Sequence, residues 1–122
     1  MLPEQIKKVI KKYEKRIYND IPIDEIFTDL KADEVISEDE VSLIMKHNGH
    51  KGKNYELIKI LKTRDISDYF KLCTTLKNQD IKNAQELGTM LENEANKALL
   101  SGNIINDTNV QGKVSLILVT TD

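Results

Sequence analysis

The sequence predicts one all-α domain built from six helices, and three observations carry that expectation. Apolar residues recur at helical spacing in six separate stretches. Ser37, Asp65 and Asp80 each precede one of those stretches in the position of a helix cap. Only five glycines and two prolines are present, too few for a turn-rich β architecture. A chain of 122 residues is one domain and can bury well over half of its unfolded surface. With 5% aromatic residues and no Trp, its core falls to Ile, Leu and Val.

The first helix is expected over residues 4–19. At 100° per residue, Ile6, Val9, Ile10, Tyr13 and Ile17 share a sector about 100° wide. Lys7, Lys8, Lys11, Lys12, Lys15 and Arg16 take the opposite half. Pro22 ends this helix because it supplies no backbone donor. A second helix is expected over 24–33, burying Ile23, Ile26, Phe27 and Leu30 and turning Asp24, Glu25, Asp29 and Asp33 outward.

The third helix opens on Ser37 with Glu40 three residues later, a capping box in which each side chain accepts from the other residue's amide. It carries Val41, Ile44 and Met45, and Asn48 or Gly49 offers the left-handed stop. The fourth helix is expected over 54–62, with Tyr55, Leu57, Ile58 and Leu61 for the core. Asp65 caps the fifth, whose inner face is Ile66, Tyr69, Phe70, Cys73 and Leu76. Asp80 caps the sixth, which carries Ala84, Leu87, Leu91, Ala95 and Ala98 and ends near Gly102.

Residues 1–100 thus form the folded unit. Residues 101–122 read as a polar linker and an apolar, β-prone tail at 114–121. With no partner strand in the chain, that tail is either disordered or the start of a further segment.

Composition and motifs exclude most chemistry. A net charge of −2 argues against general attraction to nucleic acid or anionic membranes. A single cysteine excludes an internal disulfide and fits a reducing compartment. No apolar run approaches the roughly 18 residues of a membrane span, and the start lacks a secretion signal, so a cytoplasmic setting is expected. His47 and His50 are a poor metal pair without cysteines nearby and read as part of a solvated turn. Cys73 lies on an apolar helical face, the place of a buried structural thiol. Gly52-Lys53 approaches a phosphate-loop pattern, but Asn54 stands where Ser or Thr is needed and no strand precedes it. No enzyme, metal or cofactor is expected.

Charge order is the informative feature. Helix one and the 46–64 segment are basic, with Lys46, Lys51, Lys53, Lys59, Lys62 and Arg64 in the latter. Between them lie Asp20, Asp24, Glu25, Asp29, Asp33, Glu34, Glu38, Asp39 and Glu40, interrupted by Lys31 alone. Solvating faces usually mix signs. A domain with two poles can associate head to tail, and such a heterologous contact propagates unless its geometry closes.

The ordered elements YEKRIYND (13–20), IFTDL (26–30), VISEDEV (35–41), YELIKIL (55–61), DYFKLCTTL (68–76) and AQELGTML (84–91) resemble a caspase recruitment domain (CARD) of the death-fold superfamily. Within that family the likeness is greatest to the N-terminal domains of apoptosome scaffold proteins. It covers residues 4–100 and implies an antiparallel six-helix bundle of Greek-key topology without catalytic activity. It also implies that a basic surface on helices one and four meets an acidic surface on helices two and three of another such domain, such as that of an initiator caspase, in apoptosis or innate immunity. By position the donors are Lys11, Lys12, Lys15, Arg16, Lys59 and Lys62, and the acceptors Asp24, Asp29, Asp33, Glu34 and Glu40. The glycine- and histidine-rich stretch at 47–53 departs from the family pattern, and no phosphate loop follows the domain. An adaptor and a decoy that blocks assembly both fit. Two other classes remain: a small helical nucleic-acid-binding protein using the lysine face of helix one, and a structural subunit whose charge order has no role.

Overall fold

A computed structural model describes residues 1–106, with side chains as far as residue 100. Seven α-helices and no strand occur among the described residues: α1 (Glu4–Lys12), α2 (Glu14–Asp20), α3 (Ile23–Ala32), α4 (Glu38–Met45), α5 (His50–Leu61), α6 (Ile66–Lys77) and α7 (Lys82–Asn106). The expected polar linker and β-prone tail beyond Asn106 lie outside the described residues.

Six expected helices become seven because the first one breaks at Tyr13, whose φ of −110° and ψ of 18° leave the helical region. Neither Pro nor Gly marks the break. Its effect is to re-aim one amphipathic stripe: α1 packs on α7, while α2 packs on both α5 and α7. A straight helix could not follow both surfaces, and long helices bend around the core they cover.

The capping expectations hold at two of three places. Ser37 accepts from the Glu40 amide at 3.2 Å and Glu40 accepts from the Ser37 amide at 2.9 Å. Asp65 accepts from the amides of Ser67 and Asp68. Asp80 does not cap α7, which begins at Lys82, with the Gln85 amide bonded to the Ile81 carbonyl at 3.0 Å. The same helix runs through Gly102 to Asn106 rather than ending there.

The turn before α5 also differs from expectation. Gly49 takes φ −115°, ψ 163° and serves as N-cap of α5 instead of a left-handed stop for α4. The helix therefore starts four residues earlier than its apolar run suggested. Asn54, Leu57, Ile58 and Leu61 then fill the inward positions at i, i+3, i+4 and i+7. Tyr55, expected in the core, is pushed round to the surface at 51% exposure, and Met45 is likewise exposed.

The core is dominated by Ile and Leu, as the composition required. Ile6, Ile10, Ile17, Ile23, Ile26, Leu30, Ile44, Leu57, Leu61, Leu76 and Leu91 are all buried. The α6/α7 pairing is the most extensive among the described residues. Gly88 permits it: a Cβ there would stand 2.7 Å from the Cys73 carbonyl oxygen. Tyr69 crosses the same seam, donating from its hydroxyl to the Leu91 carbonyl at 2.8 Å.

Candidate interaction faces

Of the chain's basic elements, α2 packs along α5, and α1 reaches α5 beside its own start. The Leu2 amide bonds to the Lys62 carbonyl at 3.1 Å, so the start of α1 meets the end of α5. At the other end the Asn54 side-chain amide reaches the carbonyls of Tyr18 and Ile21, so the end of α2 meets the start of α5. The α1–α2 arm is therefore antiparallel to α5. Lys11, Lys12, Lys15 and Lys59 are exposed and Lys62 half-buried, and none forms an ion pair among the described residues. Lys12 Nζ lies 5.3 Å from the Tyr13 ring centroid, within cation–π range. Between the arms, Tyr18 and Tyr55 meet edge to face with centroids 5.8 Å apart. Arg16 differs from the lysines: its Nε pairs with Asp20 at 3.2 Å and its Nη1 donates to the Met90 sulfur at 3.7 Å.

The acidic residues divide in the same way. Asp29, Asp33 and Glu34 are exposed and form no ion pair among the described residues. Asp24 pairs with Lys53 of α5 at 3.3 Å. Glu40 is engaged twice, by the Ser37 amide and by the Arg64 guanidinium. Lys31 is taken by Glu38 at 2.6 Å. The plus–minus–plus order of the sequence is thus partly cancelled in space, because Lys53 and Arg64 of the second basic run sit against acidic elements. What survives is a lysine face on α1, α2 and α5, and a smaller acidic group at the outer side and end of α3.

Side chains that sequence reasoning passed over hold these faces in place. Asn54 is fully buried and ties α2 to α5; its signal was a polar residue in register with the apolar stripe of α5. His47 is not merely solvated. Its Nε2 lies 3.1 Å from Glu56, and its ring packs where a side chain on Gly52 would stand. Gly88 carried no signal beyond its place between Leu87 and Leu91.

Little else on the molecule invites chemistry. Burial, and secondarily Glu92, pushes the Cys73 thiol up to about 12, so it carries no thiolate near neutral pH. Among the described residues no three His, Cys, Asp or Glu side chains gather to hold a metal ion. No described helix is long and apolar enough to cross a membrane. The arrangement can bind oppositely charged surfaces.

No curated protein and no solved structure matches the chain. The family model described as "Caspase recruitment domain" matches residues 7–90, from the first lysines of α1 to Met90 beside Arg16, and the chain belongs to that family.

Proposed function

We propose that this protein recruits an initiator caspase, or another CARD-containing signalling protein, by pairing its lysine face or its acidic group with the opposite face of the partner. Domains of this family are interaction modules that bind their own kind and are not enzymes. The observation carrying the reading is the set of charges left over after internal pairing: Lys11, Lys12, Lys15, Lys59 and Lys62 on one side, Asp29, Asp33 and Glu34 on the other. Arg16, Asp24 and Glu40, tied within the domain, contribute at the rim.

Charge alone is too weak to hold such a complex. Exposed pairs contribute about 0.2–1 kcal/mol each, whereas a micromolar complex needs about 8 kcal/mol. The charges therefore steer and select, while a packed centre and repeated contacts supply affinity. Tyr55, exposed among the lysines and braced by Tyr18, supplies that centre on the basic face. Having both faces on one chain allows head-to-tail self-association as well. An apoptosome-type role, as adaptor or decoy in the cytosol, belongs to the same proposal.

The full chain used as bait in cytosolic extract tests it, beside versions carrying Lys15→Glu with Lys59→Glu, or Asp29→Lys with Asp33→Lys, each checked for native helix content. Capture of a CARD-containing protein by the wild type, lost on at least one reversal, supports the reading. Equal capture by all three baits sinks it, and recovery of nucleic acid alone replaces it with the nucleic-acid alternative.

A further inference from the structure

Glu34 is the one non-glycine residue among the described residues with a positive φ, at 62°. It follows the C-cap of α3, where the Glu34 amide bonds to the Lys31 carbonyl at 3.0 Å and the Val35 amide to the Leu30 carbonyl at 2.9 Å. That pair of bonds closes a helix through a single left-handed residue. Glycine suits the position, because a Cβ in this conformation crowds the following carbonyl.

The charge is as poorly placed as the backbone. A carboxylate just past the end of a helix meets the negative pole of its dipole, and Asp33 stands beside it. Lys71 relieves that end of α3, but by donating to the Asp33 carbonyl at 3.0 Å rather than to Glu34. Glu34 shares a shallow surface depression with Lys31 and Arg64. Both cations are committed elsewhere, to Glu38 and Glu40. The Glu34 carboxylate is exposed, strained and unmatched within its own domain.

We propose that Glu34 is a specificity-determining residue of the acidic group, retained against the stability of the fold so that it can take a lysine or arginine side chain of the partner domain. The inference rests on the recruitment reading above, and it separates Glu34 from Asp29 and Asp33, neither of which takes a left-handed backbone.

The test uses the full chain carrying Glu34→Gly, Glu34→Gln or Glu34→Asp, with Asp29→Lys as an independent reporter of the acidic group. Glu34→Gly raises the thermal midpoint by about 4 °C or more while weakening capture of the CARD-containing partner about tenfold. Glu34→Gln, which keeps the strain and loses the charge, weakens capture without that gain, and Glu34→Asp preserves capture. A Glu34→Gly protein that is more stable and binds as well as wild type overturns the inference, provided Asp29→Lys still abolishes capture. If Asp29→Lys also binds normally, the acidic group is not the contact and the inference falls with it, while the recruitment reading then rests on the lysine face. An unchanged midpoint in Glu34→Gly removes the strain on which the inference stands.

Discussion

The Asn54 side-chain amide donates to the Ile21 carbonyl at 3.0 Å and to the Tyr18 carbonyl at 2.9 Å. One buried side chain thereby satisfies the Tyr18 carbonyl, whose helical partner would be the N–H that Pro22 lacks, joins the Ile23 amide on the Ile21 carbonyl, and fixes α2 against α5. The lysine face depends on that junction.

Asn54→Ala leaves the Tyr18 carbonyl without a donor and the Ile21 carbonyl with the Ile23 amide alone, so it lowers unfolding stability by about 1–3 kcal/mol. Asn54→Asp is worse, since it replaces a donor by a charge directed at carbonyl oxygens. Urea titration of the three proteins checks the order. A midpoint for Asn54→Ala equal to wild type would show that the junction holds without this bond.

The α6/α7 seam gives a second prediction. A methyl group on Gly88 meets the Cys73 carbonyl at 2.7 Å and the Lys77 amide nitrogen at 2.9 Å, both backbone atoms within helices. The helices must separate to admit it. Gly88→Ala therefore destabilises by about 1–3 kcal/mol or more, despite alanine's better helix propensity. Thermal unfolding measures this directly, and a stabilised Gly88→Ala would mean the seam is looser than described.

Much of this was legible in the sequence, and the failures share a cause. Periodicity found Ile6, Ile10, Ile17, Leu30, Ile58 and Leu91 because each core position repeats within its own helix. It missed the break at Tyr13, beyond which the chain packs on α5 as well as α7, because the break leaves no Pro or Gly behind. It began α5 at Asn54, where the apolar run opens, and left that residue out of the core although it lies in register with Leu57 and Ile58. It read Tyr55 and Met45 as core because they are large and nonpolar, although their helices turn them outward. The charge map suffered most. Linear order separated the signs, but folding brought Lys53 to Asp24 and Arg64 to Glu40. Linear order could not show which charges the fold would pair within the domain.

Alkaline pH should weaken the fold through the same seam. Burial raises the Cys73 thiol from about 9 to about 12 and raises the Tyr69 phenol as well. Both groups are acids whose folded form holds the proton more tightly than the unfolded chain does. Their contribution is therefore complete below about pH 9 and is lost as pH rises toward 12. Urea midpoints measured across that window should fall, and Cys73→Ala should flatten part of the decline. In the native protein at pH 8 the thiol should resist alkylation until the chain unfolds. Rapid labelling of the folded protein would contradict its burial.

The most direct measurement of the central claim, that the two charged faces recognise each other, is sedimentation velocity on two complementary variants. One carries Lys15→Glu and Lys59→Glu and keeps the native acidic group. The other carries Asp29→Lys and Asp33→Lys and keeps the native lysine face. The account predicts that each alone sediments as a monomer, and that an equimolar mixture at low ionic strength forms a complex. That complex should vanish near 1 M salt, where screening shortens to about 3 Å. A mixture that remains monomeric, or variants that associate equally well alone, would contradict it.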